Sequence, residues 1–293
     1  MRTFQGSITA LTTPFVSGSQ AVDFPTLRAL IERQLDAGTE GLVVAGTTGE
    51  SATLTATERQ ALFEFTVGVV RRRVPVLAGV GTNATRSTIE NAQRAQAAGV
   101  DGCLIVTPYY NKPTQRGLAH HFETVARNAR LPIVLYNVPS RTGVDLAPET
   151  TLEVATKLPN IVAIKEATTP ERVKELAEHN AIDILCGEDA WIVDGMHAGA
   201  CGVISVLSNV VPEEVASLIM ACRAHDDVRA ADLVEKLAPL ADALFAETNP
   251  APVKHALHLL GWLSEELRSP LTPISPETQA LLREAMSGAG LLP

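Results

Sequence analysis

Lys165 follows directly on an apolar stretch of the sequence, and this position suits covalent chemistry. The run Ile161–Ile164 is wholly apolar, as in a strand buried on both faces. Burial disfavours the ammonium form of lysine, so such an amine can be neutral and nucleophilic near neutral pH. A neutral amine is what a Schiff base with a carbonyl substrate requires. The alternative is that Lys165 extends to solvent or pairs with Glu166.

Tyrosine hydroxyls follow two other apolar runs. Tyr136 ends one of them, and Tyr109 and Tyr110 follow another, which accounts for all three tyrosines of the chain. After a Schiff base forms, a proton must leave the neighbouring carbon, and the resulting enamine attacks an aldehyde. Each step moves protons, so hydroxyl groups that relay them are needed. We therefore predict a proton relay through Tyr136, on the strand adjacent to that of Lys165.

Two further features are suited to binding carboxylates. Thr47 and Thr48 lie between Gly46 and Gly49, and such a turn offers hydroxyl and backbone N–H groups. Arg141 can bind a second carboxylate through two parallel hydrogen bonds. Taken singly, these features could be a plain turn and a surface ion pair, and Tyr109–Tyr110 could be packing aromatics. Their shared position at strand ends favours a site.

The apolar runs recur eight times, with helical segments between most of them. The predicted strands are Ser7–Leu11, Gly41–Ala45, Val76–Val80, Cys103–Thr107, Ile133–Tyr136, Ile161–Lys165, Ile182–Cys186 and Gly202–Val206. This alternation predicts an α/β protein, a (β/α)8 TIM barrel, whose site lies at the carboxyl ends of the strands. An open doubly wound sheet is the alternative, but the turn after the first strand lacks the G-x-G-x-x-G pattern.

Helix boundaries are also marked in the sequence. Thr55 and Glu58 form a capping-box pattern, and Thr169 precedes a proline at the first helical position. The pattern A-G-x-x-G occurs three times, and its first glycine suits the left-handed backbone at the end of a helix. These glycines are Gly38, Gly99 and Gly199.

After Val206 the sequence pattern is helical only. The predicted helices are Glu213–Ala224, Ala230–Glu247, Ala251–Leu260 and Glu277–Met286. We assign residues 1–224 to the barrel, because the first of these helices completes it. Residues 225–293 are assigned to a C-terminal helical extension packed on the barrel.

Composition excludes several classes of partner. The formal net charge is -9 and no long basic run occurs, which argues against nucleic acid and anionic membrane surfaces. The N-terminus lacks an apolar signal core, and no apolar run approaches the roughly 18 residues of a membrane span. Four widely spaced cysteines suit reduced, buried thiols in a cytoplasmic protein.

The histidines do not suggest a metal site. His120 and His121 are adjacent, so they point to different faces of a helix. His255 and His258 share a face but lie beyond the barrel. We therefore expect no metal. A site for phosphorylated substrates is also disfavoured, because the loop after the seventh strand carries carboxylates.

The motifs described above resemble the dihydrodipicolinate synthase / N-acetylneuraminate lyase family. The resemblance is carried by the turn Gly46–Glu50, the segment Tyr136–Gly143 and the strand ending at Lys165, and it extends over nearly the whole chain. With Arg141 following Val-Pro-Ser, the chain resembles the synthase branch of the family. The members of this branch are lyases that condense pyruvate with L-aspartate 4-semialdehyde in lysine (diaminopimelate) biosynthesis. The alternative is a related pyruvate-dependent aldolase acting on a sugar acid or hydroxy-oxo acid.

The resemblance implies a role for each catalytic candidate. Lys165 would form the Schiff base with pyruvate, with no cofactor beyond this covalent adduct. Tyr136 would donate and accept protons, and Thr47 and Tyr110 would complete a hydroxyl relay. Tyr110 would reach into the site of the neighbouring subunit.

The resemblance also implies how the substrates are bound. Thr48 would bind the pyruvate carboxylate, and Arg141 would bind the carboxylate of the semialdehyde at the mouth of the site. Ile204 would contact pyruvate, with Gly187 nearby. The family is usually a homotetramer built from two tight dimers.

Lysine-inhibited members of the family bind lysine in the cleft of the tight dimer. The residues that match this cleft are Ser51, Ala52, Asn83 and Tyr109. Ala56, Arg59 and Ser87 stand where inhibited members tend to have histidine, histidine and glutamate. Losing a carboxylate and gaining Arg59 should disfavour a cationic ligand, so we expect weak or absent feedback by lysine.

Overall fold

The structure, a computed structural model, describes residues 4–292, and its centre is a closed barrel of eight parallel strands. The strands are β1 (Gly6–Ala10), β2 (Gly41–Val44), β3 (Val76–Gly79), β4 (Gly102–Val106), β5 (Ile133–Asn137), β6 (Ile161–Glu166), β7 (Asp183–Cys186) and β8 (Gly202–Ser205). Each strand pairs with the next, and β8 pairs with β1. The predicted barrel is confirmed, and every predicted strand boundary lies within one residue of the observed one.

Helices surround the barrel and continue beyond it. The helices of the barrel are α1 (Phe24–Asp36), α2 (Ala56–Val70), α3 (Thr85–Ala98), α4 (Gln115–Asn128), α5 (Pro139–Thr142), α6 (Pro148–Lys157), α7 (Pro170–Ala177), α8 (Ile192–His197) and α9 (Pro212–Ala224). The C-terminal helices are α10 (Asp227–Leu244), α11 (Ala251–Leu259) and α12 (Pro276–Gly288). Within residues 4–292, no helix is long and apolar enough to cross a membrane.

The predicted helix signals operate as expected. The Thr55 hydroxyl accepts from the Glu58 backbone N–H while the Glu58 side chain accepts from that of Thr55, which completes the capping box. Thr169 caps α7 through the backbone N–H of Arg172. The glycines of the repeated pattern have left-handed backbone, with φ of 83°, 83° and 114° at Gly38, Gly99 and Gly199.

One C-terminal helix differs from its prediction. We predicted Ala230–Glu247, whereas α10 is Asp227–Leu244. It begins earlier because the Asp226 side chain accepts a hydrogen bond from the Arg229 backbone N–H and so caps the helix there. The turn between α9 and α10 coincides with the boundary proposed after residue 224. The outer limits of that division, residues 1–3 and 293, lie outside the described residues.

The core has two parts, one inside the barrel and one between strands and helices. Inward-facing side chains such as Ile8, Val43, Leu77 and Val134 fill the barrel. A larger apolar layer joins the outer face of the strands to the helices and extends into α10–α12. Because the barrel is filled by side chains, space for a substrate remains only at its ends.

Candidate active site

A cavity of about 220 Å³ lies at the carboxyl ends of the strands. Its lining residues come from most strands and from the C-terminal region: Ala10, Val43, Gly46, Thr47, Thr48, Leu104, Tyr136, Ser140, Arg141, Lys165, Gly187, Glu188, Ile204, Val206, Phe245 and Asn249. Seven of the eight predicted site residues are in this set. Tyr110 is the exception.

Lys165 is a buried amine with no carboxylate of residues 4–292 at ion-pair distance. It is 5% exposed, and its Nζ lies 4.5 Å from the centre of the Tyr136 ring. The two residues are paired in register on neighbouring strands β5 and β6. Within residues 4–292, Lys165 makes no ion pair and donates no hydrogen bond. The amine is therefore free to react, and the nearest hydroxyl-bearing aromatic is the predicted proton relay.

The alternative pairing of Lys165 with Glu166 is wrong. Successive side chains of a strand point to opposite faces, and Glu166 faces away from the cavity. Its carboxyl accepts from Asn137 Nδ2 at 3.2 Å from each oxygen, and the same nitrogen donates to Asp145 Oδ1 at 2.8 Å. Burial raises the pKa of Glu166 to about 7.

Two acidic residues follow β7 at the edge of the site. Burial raises the pKa of Glu188, and the charges of Lys165 and Arg141 oppose this rise. Asp189 is buried, and its Oδ2 accepts from the backbone N–H groups of Val206 at 2.9 Å and Leu207 at 2.8 Å. Asp189 thus ties the end of β7 to the end of β8.

The turn after β2 has unused donors facing the cavity. The backbone N–H of Gly49 donates to Gly46 O at 3.1 Å, and that of Glu50 donates to Thr47 O at 3.0 Å, which closes the turn. The backbone N–H groups of Thr47 and Thr48 have no acceptor in the described part of the chain. Because Thr48 is also buried at the cavity, the turn offers donors of the kind that a carboxylate needs, and its role in binding one stays a prediction.

Gly187 keeps the wall above Lys165 open. Its backbone N–H donates to Glu166 O at 2.7 Å, and a Cβ atom at this position would lie 2.6 Å from Ala167 Cβ. Only glycine allows the ends of β6 and β7 to approach this closely. Ile204, on β8, is 1% exposed and supplies part of the apolar floor.

Arg141 lies on the short helix α5, which the sequence analysis did not predict. The helix starts at Pro139 and closes at Gly143, whose φ is 70°. Arg141 lines the cavity and also a neighbouring cavity of about 390 Å³. No carboxylate of residues 4–292 forms an ion pair with it, so the surface-pair alternative fails and its fork of donors is free.

Tyr110 lies outside the cavity of its own chain. Its side chain is 88% exposed, and its backbone is left-handed with φ of 74°. A bulky residue held in this conformation carries strain of about 1–3 kcal/mol, which is most often found at functional sites. Tyr109, its neighbour, lines the 390 Å³ cavity.

Sequence reasoning missed the contribution of the C-terminal region. Phe245 and Asn249, from the segment between α10 and α11, line the cavity. Asn249 Nδ2 donates to Thr48 Oγ1 at 3.0 Å. The two residues are 201 positions apart, and no local pattern marks Asn249, so only the folded chain reveals this contact.

Comparison with known proteins assigns this arrangement to a family. The model of the "Dihydrodipicolinate synthetase family" matches residues 3–289. The 4-hydroxy-tetrahydrodipicolinate synthase of Nitratidesulfovibrio vulgaris is 45% identical over 292 residues, which is 99% of each chain. The chain belongs to this family.

Solved structures agree with the family match. Dihydrodipicolinate synthase from Aquifex aeolicus superposes with a TM-score of 0.96 at 45% identity, covering 98% of this chain and 99% of that one. The chloride-inhibited dihydrodipicolinate synthase from Acinetobacter baumannii, complexed with pyruvate, superposes with a TM-score of 0.96 at 40% identity. The superposition covers 98% of this chain and 99% of that one.

The cavity of about 390 Å³ contains part of the cleft that the family resemblance predicted. Ser51, Ala52, Tyr109 and Arg59 line it, whereas Asn83 does not. The Arg59 guanidinium donates to Ser51 O at 2.9 Å and to Gly79 O at 3.1 Å. A cation therefore occupies one wall of this cleft.

The histidines have local structural partners. His121 Nδ1 is 2.9 Å from Thr85 Oγ1, and His255 Nδ1 is 2.7 Å from Glu265 Oε2. In the described range 4–292, no group of three His, Cys, Asp or Glu side chains is arranged to hold a metal ion.

Proposed function

We propose that the protein condenses pyruvate with L-aspartate 4-semialdehyde to give 4-hydroxy-tetrahydrodipicolinate, a lyase step of lysine (diaminopimelate) biosynthesis. One observation carries this proposal. The buried, unpaired Lys165 amine faces a small cavity that also presents Thr48, Tyr136 and Arg141. The name and length of the matched relatives support the same reaction.

The first step is formation of a Schiff base, and no other cofactor is required. The Lys165 amine attacks C2 of pyruvate, and the oxygen of that carbon leaves as water after proton transfer through Tyr136. The turn at Thr47 and Thr48 holds the pyruvate carboxylate with its hydroxyl and backbone N–H donors, so C2 is presented to Nζ. Positioning of this kind replaces a bimolecular encounter with an intramolecular one.

The second step forms the carbon–carbon bond. The iminium withdraws electrons, so the methyl carbon of pyruvate loses a proton and an enamine results. The enamine carbon attacks the aldehyde carbon of the semialdehyde, and the aldehyde oxygen takes a proton to become the 4-hydroxyl group. Tyr136 and Thr47, two of the hydroxyl residues that line the cavity, carry these protons.

The third step releases the enzyme. The amino group of the bound semialdehyde attacks C2 and displaces Lys165, which regenerates the free amine and closes the ring. Pyruvate and semialdehyde therefore yield one cyclic product and one water. Arg141, free of any ion pair in residues 4–292, would hold the amino-acid carboxylate at the mouth of the cavity. Acceptor aldehydes without that carboxylate would not bind to Arg141 in this way.

The test is turnover by the purified protein, combined with borohydride trapping of pyruvate. Wild type should consume pyruvate with L-aspartate 4-semialdehyde but not with sugar-acid or hydroxy-acid acceptors, and borohydride should attach pyruvate to Lys165. Arg141→Ala should lose roughly 100-fold in kcat/KM for the semialdehyde yet still be trapped. Arg86→Ala, at an arginine whose side chain is 92% exposed, is the matched control. Fast turnover confined to another aldehyde would contradict the proposal and show that the protein is a related pyruvate-dependent aldolase.

We also infer that the active form is an oligomer, a homotetramer built from two tight dimers as in the family, in which Tyr110 serves the neighbouring site. Its exposure and strained backbone support this assignment. Co-expression of Lys165→Met with Tyr110→Phe tests it. One mixed site would combine an intact Lys165 with an intact Tyr110 from the other subunit, so activity should exceed that of either variant alone. No gain on mixing would contradict shared sites.

A cytoplasmic location completes the proposal. The four cysteines are buried free thiols, which suits a reducing compartment. Cell fractionation with an antibody against the protein measures this directly.

A further inference from the structure

We propose that Asn249, in the C-terminal helical region, is a positioning residue for pyruvate binding: it fixes the Thr48 hydroxyl as a donor to the substrate carboxylate. The inference rests on the proposed function, which assigns the turn at Thr48 to that carboxylate. It gives the segment after α10 a part in the chemistry of a site otherwise built by the barrel.

The hydrogen bond between the two residues sets the direction of the hydroxyl. Asn249 is 4% exposed, and its Nδ2 donates to Thr48 Oγ1 at 3.0 Å. A hydroxyl has a single proton to donate. Because the amide hydrogen already occupies one lone pair of Oγ1, the Thr48 proton remains available to an acceptor in the cavity. A carboxylate, which only accepts, matches this polarity.

The amide oxygen of Asn249 also supports the assignment. Asn249 Oδ1 is buried and has no hydrogen-bond partner among residues 4–292. A buried amide oxygen without a partner is costly, so a residue kept merely for packing would not need to be asparagine. Its one side-chain hydrogen bond within the described chain is the bond to Thr48.

The surrounding contacts hold Asn249 in register with the turn. The residues after Asn249 and Pro250 form α11, and Lys254 of that helix forms a fully buried ion pair with Glu50, two residues after Thr48. The backbone N–H of Arg268 donates to the second oxygen of Glu50 at 3.0 Å. The C-terminal region is therefore attached to the same turn at several points, and among the hydrogen bonds of residues 4–292 only that of Asn249 reaches the Thr48 side chain.

Asn249→Asp is the decisive variant, because it keeps the shape of the side chain and reverses its polarity. A carboxylate has no hydrogen to donate, so it would accept the Thr48 proton and withdraw it from the substrate. We expect KM for pyruvate to rise roughly 10- to 100-fold, as for loss of a hydrogen bond to a charged group. The pyruvate dependence of borohydride trapping should shift by the same factor, with the thermal midpoint kept.

Asn249→Ala provides the comparison that a purely structural role would not satisfy. Alanine removes the donor but leaves Thr48 free to turn, so its rise in KM should be smaller than that of Asn249→Asp. On a Thr48→Val background, Asn249→Ala should add nothing further to KM, because the hydroxyl it acts through is absent. Asn128→Asp, at an exposed asparagine of α4, is the control.

The outcomes separate this inference from the proposed function. Wild-type KM for pyruvate in both Asn249 variants, while wild type is still trapped at Lys165, would overturn the inference alone. An equal loss in both variants that accompanies a lower thermal midpoint would also overturn it, in favour of a structural role. If wild type is not trapped by pyruvate at all, the proposed function fails first.

Discussion

The described residues 4–292 include two buried lysines, which differ in whether a carboxylate forms an ion pair with them. Lys165 is 5% exposed and Lys254 is fully buried. Lys254 forms an ion pair with Glu50 and lies 4.1 Å from the centre of the Phe15 ring. Lys165 also lies over an aromatic ring, that of Tyr136, but no carboxylate of residues 4–292 pairs with it. The two amines share burial and an aromatic neighbour, but within residues 4–292 only Lys254 has a carboxylate at ion-pair distance.

The difference shows what separates a structural amine from a reactive one. Burial lowers the pKa of Lys254, and the charge and hydrogen bond of Glu50 oppose that effect by favouring the ammonium form. A paired ammonium has no lone pair for a carbonyl carbon. The Lys165 amine forms no ion pair within residues 4–292 and lines the cavity, so a carbonyl substrate can reach it there. The same burial therefore serves stability at one position and chemistry at the other.

The largest expected effect is on activity at Lys165. Lys165→Met should reduce turnover of pyruvate by about 10³-fold or more, because no other group can form the Schiff base. Its stability should not fall, since methionine removes a buried amine that forms no ion pair within residues 4–292. Turnover, borohydride trapping and thermal unfolding measure these effects, with the exposed Lys157→Met as control. Retained trapping in Lys165→Met would show that the nucleophile is elsewhere.

The next largest effect is on stability at Lys254. Lys254→Met should lower the free energy of unfolding by about 3–5 kcal/mol, because Glu50 is left as a buried charge without a partner. Denaturant unfolding measures the change. The double variant Lys254→Met, Glu50→Gln should recover a large part of the loss, since neither residue then carries a charge. A double variant no more stable than the single one would show that the ion pair itself, and not the uncompensated charge, accounts for the loss.

The comparison also shows what the sequence could predict. Lys165 was found from the sequence because an apolar run and a terminal lysine are adjacent, and strand boundaries followed from the same local signals. Lys254 lies in α11, a helix in which seven consecutive residues are buried, and its partner Glu50 is 204 residues away. The Thr48–Asn249 contact was also not predicted, because the two residues are 201 positions apart in the sequence. The helix that carries Arg141 is only four residues long, too short for a periodic pattern to emerge.

A smaller effect on stability is expected at Glu166, whose buried carboxyl accepts hydrogen bonds from the Asn137 amide. Burial raises its pKa from the ordinary 4.5 to about 7. Since the folded-state pKa is the higher one, the folded protein binds the proton more tightly than the unfolded chain. The contribution of Glu166 to the free energy of unfolding is therefore most favourable below pH 4.5. It falls by at most about 3 kcal/mol as the pH rises toward 7.

Glu166→Gln should remove this pH dependence. The difference in free energy of unfolding between variant and wild type should grow in favour of the variant between pH 4.5 and 7, and then level off. Unfolding by denaturant at a series of pH values measures it. Glu90→Gln, at an exposed ion pair with Arg86, should show no such trend. Parallel curves for Glu166→Gln and wild type would mean that the carboxyl is ionised at a lower pH than its burial implies.

The smallest effect is expected for inhibition by free lysine, because lysine is a cation and the cleft already contains a cation. The Arg59 guanidinium, held by Ser51 O and Gly79 O, lines the 390 Å³ cavity. Glu50, the only acidic residue of that lining, is already paired with Lys254. Without a free carboxylate to compensate it, a second cation should bind poorly. Sub-millimolar lysine should therefore leave the turnover of pyruvate unchanged.

A variant that supplies the missing charges tests whether this cleft is the determinant. Replacing Ala56, Arg59 and Ser87 with His, His and Glu removes the cation and adds a carboxylate. If charge alone excludes lysine, the triple variant should become inhibitable while the wild type is not. Inhibition of wild type by sub-millimolar lysine would show that Arg59 can turn away from the cleft. The requirement for a counter-charge would then hold for the buried Lys254 but not for this partly exposed site.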